Sequence, residues 1–162
     1  HKLDELMDRS LELASTDYNL KKQYDFKSIA VNKVYEDDLP EIICEGNKIQ
    51  QVLLNTLNNG AQAMFAKSKS NKGYTPQFNI RLSHNRATGM LEIEIEDNGT
   101  GMDEETRKNI FQPFFTTKPV GEGTGLGMSV SYFIITENHK GTINVFSELG
   151  KGSKFVICLP VS

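Results

Sequence analysis

Residues 91–102 read Leu91-Glu92-Ile93-Glu94-Ile95-Glu96-Asp97-Asn98-Gly99-Thr100-Gly101-Met102. Leu91, Ile93 and Ile95 alternate with glutamates, the period-two signature of a strand with one buried and one wet face. Asp97 continues the apolar parity, so the pattern aims a carboxylate toward the core. An ionised carboxylate there must meet hydrogen-bond donors, from the protein or from a ligand. Asp-Asn-Gly is also good turn chemistry, and on that reading Asp97 is a turn or capping residue.

Upstream, Phe78, Ile80 and Leu82 alternate in the same way, and a turn ending at Gly89 joins the two runs into a half-buried hairpin. Before them, Asn47 caps a long helix, with Gln50 completing a capping box, and Ile49, Val52, Leu53, Leu57 and Met64 form its core face. Lys67 to Pro76 reads as a mobile surface loop. Ser28 to Tyr35 and Glu41 to Cys44 read as strands separated by the turn Asp37-Asp38-Leu39-Pro40. Downstream come a short helix from about Asp103, an apolar cluster from Phe111 to Phe115, and a glycine-rich stretch from Gly121 to Gly127. A helix from about Leu126 to His139 then stops at Lys140 and Gly141. Strands Thr142 to Ser147 and Ser153 to Leu159 close the chain. At the other end Leu3, Leu6, Met7, Leu13 and Ala14 lie near one side of a helical lead-in, which packs on the domain, continues a two-stranded helical stalk or is a plain surface helix. Ser15 to Tyr24 is a connector. The elements predict an α+β fold, a two-layer α/β sandwich whose mixed, mainly antiparallel sheet of about five strands carries three helices on one face. Residues 25–162 form the domain, and residues 1–24 precede it.

Bulk properties restrict the function. The 162 residues suit one domain, and a net charge of -3 disfavours nucleic acid as a partner, so any phosphate site must be local. Cys44 and Cys158 sit in apolar runs without metal-ligand spacing and read as buried thiols in a reducing compartment. No apolar run approaches the roughly 20 residues needed to span a bilayer, and the expectation is a soluble, cytoplasmic piece of a longer protein.

Two further features carry chemistry. Gln51, Asn55, Asn59 and Gln62 recur at helical spacing on the face opposite the apolar one. They read either as a solvated face or as amide oxygens for a hard cation whose remaining ligands come from water and phosphate. Gly121-Glu122-Gly123-Thr124-Gly125-Leu126-Gly127 stands before a helix, where glycine backbone can approach phosphate oxygens. It matches neither the dinucleotide pattern nor a P-loop. A flexible linker is the alternative reading.

In order and separation these features resemble the catalytic domain of sensor histidine kinases, within the wider superfamily that includes DNA gyrase, Hsp90 and MutL. Asn47 to Met64 resembles the N box, Asp97 to Gly101 the G1 box, Phe111 to Lys118 the F box and Gly123 to Gly127 the G2 box. Gly150 to Phe155 matches a closing Gly-x-Gly-[Ser/Thr]-x-Phe element. The resemblance covers about Phe26 to Pro160 and implies a Bergerat-type fold that binds ATP and Mg²⁺.

On that resemblance, Asp97 accepts the adenine amino group, Gly99 and Gly101 let backbone pass close to the base, and Asn59 ligates Mg²⁺ with Asn55 assisting. Residues Gln112 to Gly123 form a lid hinged at Phe114 and Phe115, with Lys118 on a phosphate. Gly123, Gly125 and Gly127 cradle the phosphates. Met102, Thr117, Thr124, Leu126 and Met128 line the nucleotide, and Ser153 supplies a hydroxyl near adenine. Catalysis is expected from Asn55, Asn59 and Lys118.

In the gyrase and MutL branch a glutamate base occupies the slot held here by Asn55. An amide cannot take a proton, so slow hydrolysis and transfer to a neutral imidazole are expected. Gln62 replaces a basic residue common in the family, which puts more weight on Lys118. His1, His84 and His139 lack the acceptor context. The expected partners are therefore a histidine-containing dimerisation domain of the same protein and a response regulator receiver domain. The alternatives are a gyrase- or MutL-like ATPase, a serine-directed kinase, and a non-catalytic docking module.

Overall fold

A computed structural model describes residues 1–16, 26–113, 115 and 127–161. Strands β1 (Ala30–Tyr35), β2 (Gln77–Asn85), β3 (Met90–Asp97), β4 (Thr142–Glu148) and β5 (Gly152–Pro160) form one sheet in the order β1-β2-β3-β5-β4. The hairpin expected from the alternating runs is present. β2 and β3 pair antiparallel, with Phe78 opposite Asp97, Ile80 opposite Ile95 and Leu82 opposite Ile93. β5 continues the rows on the other side of β3, placing Ser153 beside Asp97, Phe155 beside Ile95 and Ile157 beside Ile93. β4 is antiparallel to β5, and β1 alone is parallel to its neighbour. Because side chains alternate along a strand, this register gathers the apolar residues on one face and leaves Asn79, Arg81, Glu94 and Lys154 on the other. Arg81 and Lys154 reach Glu94 there at 3.7 and 3.5 Å, exposed pairs that add little stability.

The apolar face is covered by helices, as the two-layer reading expects. They are α1 (Leu3–Thr16), α2 (Gly46–Ser70), α3 (Glu104–Asn109) and α4 (Gly127–Phe133), which runs on as a π-helical turn over Ile134–Asn138. α2 touches α1, α4, β3 and β5 and supplies the centre of the core, where Ile49, Val52, Leu53 and Leu57 are all fully buried. α1 packs on α2 through Leu3, Leu6, Met7 and Ala14, while Leu13 faces out. Burying side chains of this size stabilises by roughly 1.5–3 kcal/mol each. Asp103 caps α3, its carboxylate accepting the Thr106 N–H at 2.7 Å.

Four local expectations are corrected. Glu41 to Cys44 is not a strand, because no sheet strand lies beside it; Ile42 instead exchanges two backbone bonds with His1, at 2.8 and 2.9 Å. Asn47 is not the cap of α2. The N-cap position is Glu45, two residues earlier, without a side-chain cap, and Gln50 Nε2 is buried without a partner. The missing cap is offset from elsewhere: the Glu45 N–H donates to Nε2 of His139 at 3.0 Å, while Nδ1 of that ring bonds the Ile134 carbonyl at 2.9 Å. Lys67 belongs to α2 and not to the loop, since the helix runs on to Ser70.

At the end of α4 the residue with positive φ is Lys140, at 56°, and not Gly141. Gly141 is needed for another reason: a Cβ there would stand 2.1 Å from the Cys158 carbonyl oxygen of β5. Cys44 and Cys158 are both free and only partly buried. Gly141→Ala should therefore lower the unfolding free energy by about 1–3 kcal/mol, the usual cost of overpacking, measured as a lower urea midpoint at unchanged slope.

Candidate active site

Asp97 ends β3 with 5% of its surface exposed, on the core side that its parity predicts. Its Oδ1 accepts the Gly99 N–H at 2.9 Å. Burial pushes its carboxyl up to about 6, against the pull of backbone amides at Gly99 and Ser153. Near neutral pH the group is mostly the acceptor-only carboxylate, held in a place that penalises charge.

Three glycines let the backbone pack closely around Asp97 and the loop that follows it. A Cβ on Gly60 would stand 2.6 Å from the Phe78 ring and 3.2 Å from Asp97 Oδ2. A Cβ on Gly99 would strike Ala63 at 2.7 Å and Asp97 Oδ1 at 2.9 Å. Gly101 has a φ of 72°, and a Cβ there would lie 2.1 Å from the Glu148 carbonyl. The loop from 98 to 102 is thus pressed against both α2 and the β4–β5 turn. Ser147 Oγ accepts the Met102 N–H at 2.7 Å and donates to the Gly152 carbonyl at 3.1 Å, which leaves buried Ser153 to donate to it at 2.8 Å.

α2 carries the amide stripe past this loop. Asn55 Nδ2 donates to the Gly127 carbonyl at 3.1 Å and to Ser131 Oγ at 3.2 Å, fastening the start of α4 to α2. One turn on, the partly buried Asn59 makes no hydrogen bond among the described residues. Gln62 Oε1 is buried without a partner. Met128, expected beside a nucleotide, has its side chain in the apolar core. Phe115 is partly buried and its N–H bonds the Gln112 carbonyl at 3.3 Å, while Phe111 lies edge-on to Phe155, centroids 6.3 Å apart. Phe114, Thr117, Lys118, Gly121, Gly123, Thr124, Gly125 and Leu126 lie outside the described residues.

Sequence reasoning missed Gly60, Ala63 and Lys67, although their spacing of three and four places them on one helix face. Lys67 Nζ donates to the carbonyls of Asn98 at 3.3 Å and Gly150 at 2.9 Å. Tyr74 was missed too; its hydroxyl bonds the Asn98 carbonyl and Asn98 Oδ1, each at 2.8 Å. It lies in the stretch read as a mobile loop, where a single aromatic gives no periodic signal.

Residues 44–162 match the family model described as histidine kinase-, DNA gyrase B- and HSP90-like ATPase. The sensor histidine kinase ZraS of Escherichia coli K12 is 37% identical over 160 residues, covering 99% of this chain and 30% of that protein. Sporulation kinase E of Bacillus subtilis is 37% identical over 148 residues, 88% of this chain and 18% of its own length. Among solved structures, the nucleotide-free catalytic domain of histidine kinase ThkA superposes with a TM-score of 0.77 at 25% identity, covering 99% of this chain and 93% of that one. Full-length ShkA, solved in complex with AMPPNP, shares the fold at a TM-score of 0.77 and 23% identity, over 100% of this chain and 30% of that one. The chain belongs to the histidine kinase-, gyrase B- and HSP90-like ATPase family, and it is an ATP-binding catalytic domain of the histidine kinase type. It spans less than a third of the length of these two kinase relatives.

The raised carboxyl of Asp97 has a stability cost with a definite sign. The group binds its proton more tightly folded than unfolded, so ionisation weakens the fold as pH rises from the ordinary value of 3.8 through about 6. In the nucleotide-free protein Asp97→Asn should be more stable than the parent at pH 7.5 by on the order of 2 kcal/mol. That advantage should shrink between pH 6 and pH 4 in urea titrations; an advantage independent of pH would contradict the assignment.

Proposed function

We propose that this domain, within a longer two-component sensor kinase, transfers the γ-phosphate of ATP to a histidine on a dimerisation domain of the same protein. From there the phosphoryl group passes to a response regulator receiver domain. The observation that carries the reading is the combination of Asp97, a carboxylate buried at the end of β3 and closely approached by Gly60 and Gly99, and an amide, Asn55, where a water-activating base would stand.

Asp97 fits the adenine amino group because an acceptor-only carboxylate rewards an N–H and repels the carbonyl that guanine would present. Met102, Gly99, Gly101 and Ser153 surround that carboxylate's loop and line the base. Asn59, unengaged by any described hydrogen bond, suits a cation ligand. Among the described residues no cluster of three or more His, Cys, Asp or Glu side chains is placed to hold a metal; Mg²⁺ held at Asn59 would take its remaining ligands from phosphate oxygens and water. Bound there, Mg²⁺ neutralises phosphate charge. Lys118 adds a second cation, Phe115 and the lid exclude water, and the backbone from Gly123 to Gly127 holds the phosphates, with Thr124 and Leu126 beside the nucleotide.

Asn55 cannot deprotonate water, and its Nδ2 is already engaged at Gly127 and Ser131. A neutral imidazole needs no strong base, so positioning and charge neutralisation suffice for transfer. Residues 1–24 are the end of the preceding hairpin and a connector, and residues 25–162 are the nucleotide-binding unit. Among the described residues no helix is long and apolar enough to cross a membrane. The proposed location of the domain is the cytoplasm, where ATP and receiver domains are found.

Calorimetric titration with a non-hydrolysable ATP analogue should show binding that Mg²⁺ strengthens and GTP does not reproduce. Asp97→Asn should weaken adenine binding about tenfold or more, and Asn59→Ala should abolish most of the Mg²⁺ enhancement. Absence of binding by the folded protein would overturn the reading. The domain alone should form no acid-labile phosphohistidine, and should phosphorylate the histidine-bearing hairpin when the two are mixed.

A further inference from the structure

We propose that Lys67 is a positioning residue for adenine recognition, through which α2 holds the loop after Asp97 against the β4–β5 turn. The inference rests on the nucleotide-binding reading above. Gly60, Ala63 and Lys67 lie on one face of α2 and meet successive parts of the same loop: Gly60 sits against Asp97, Ala63 against Gly99, and Lys67 on the Asn98 carbonyl. The first two set how near the loop approaches. Lys67 is the one that pulls.

Its ammonium group spends two of its three donors on carbonyls from separate segments, Asn98 at 3.3 Å and Gly150 at 2.9 Å. Those segments are themselves joined, since the Gly150 N–H donates to the Thr100 carbonyl at 2.7 Å. The Tyr74 ring lies 5.0 Å from the ammonium nitrogen, and its hydroxyl donates to the carbonyl that Lys67 holds. Asn98 is further fixed by its own side chain, which accepts the Gln77 N–H and donates to the Thr75 carbonyl, each at 2.9 Å. The residue after Asn98 is Gly99, whose N–H orients Asp97 Oδ1. Displacing the Asn98 carbonyl therefore displaces the donor that aims the base-reading carboxylate. The positive charge of Lys67 also favours the anionic form of Asp97, against Glu96, which opposes it. A neutral side chain of equal length retains neither the two hydrogen bonds nor the field.

The test compares Lys67→Met, Lys67→Arg and Tyr74→Phe with the parent, after urea titration establishes that each is folded. Two quantities are read: the affinity for ADP with Mg²⁺, and the hydrogen-exchange protection of the Gly99 amide in the nucleotide-free protein. Lys67→Met should weaken ADP binding about tenfold and cut Gly99 protection by a similar factor; Lys67→Arg should stay within about threefold on both. Tyr74→Phe should give an intermediate loss, and it decides the matter if Lys67→Met does not fold. ADP affinity and Gly99 protection unchanged in Lys67→Met, or in Tyr74→Phe where that variant decides, would overturn the role of Lys67. So would protection lost uniformly across the fold, which marks a general structural role. Failure of the parent to bind ADP would instead remove the nucleotide reading itself, a result separate from any variant.

Discussion

A single carboxylate on the apolar side of a strand governs how this domain is built. Asp97 occupies a core position in β3, where charge is penalised, and everything near it answers that penalty. Gly99 turns its amide toward Oδ1, Ser153 stands opposite in β5, and Gly60 withholds a side chain so that α2 can come close to Oδ2. A hydrophobic residue at this position would suit the sheet better. Tolerating a site that weakens the empty fold is what a ligand-binding group requires, because affinity comes from the same unsatisfied capacity.

The long helix links that carboxylate to the rest of the site. Its apolar face is fully buried, and the helical backbone sets the spacing of the residues on its other faces. Asn55 fastens the first turn of α4, the Asn59 side chain one turn later makes no hydrogen bond among the described residues, and Lys67 reaches the loop beyond Asp97. Two separate segments, the start of α4 and the loop after Asp97, are therefore referenced to one element. That arrangement explains how a loop-rich site keeps its geometry within a small domain.

Much of this was legible in the sequence because the signals were periodic. The alternation through Ile93 and Ile95 gave both the strand and the burial of Asp97, and the spacing of Ile49, Val52, Leu53 and Leu57 gave the helix and its core face. What escaped depended on contacts between distant segments. A capping box at Asn47 was reasonable chemistry, but the start of α2 is instead tied to His139, nearly a hundred residues away. The strand at Glu41 lacked a partner that local pattern cannot supply. Lys67 looked like the first residue of a polar loop because the composition changes there, whereas hydrogen bonding carries α2 to Ser70. Gly60 and Ala63 hid in plain view: small residues facing a loop have no periodic hydrophobic signature, and only the approach of Phe78 and Gly99 reveals their purpose.

The latch between His139 and the first turn of α2 bears on chemistry at imidazole. With Glu45 donating to Nε2, the ring proton resides on Nδ1 and points at Ile134. Both nitrogens are thereby spoken for, and the lone pair that an electrophilic phosphorus would seek is already shared with a backbone amide. The ring is a rivet between two helix ends, and its nucleophilicity is committed to architecture.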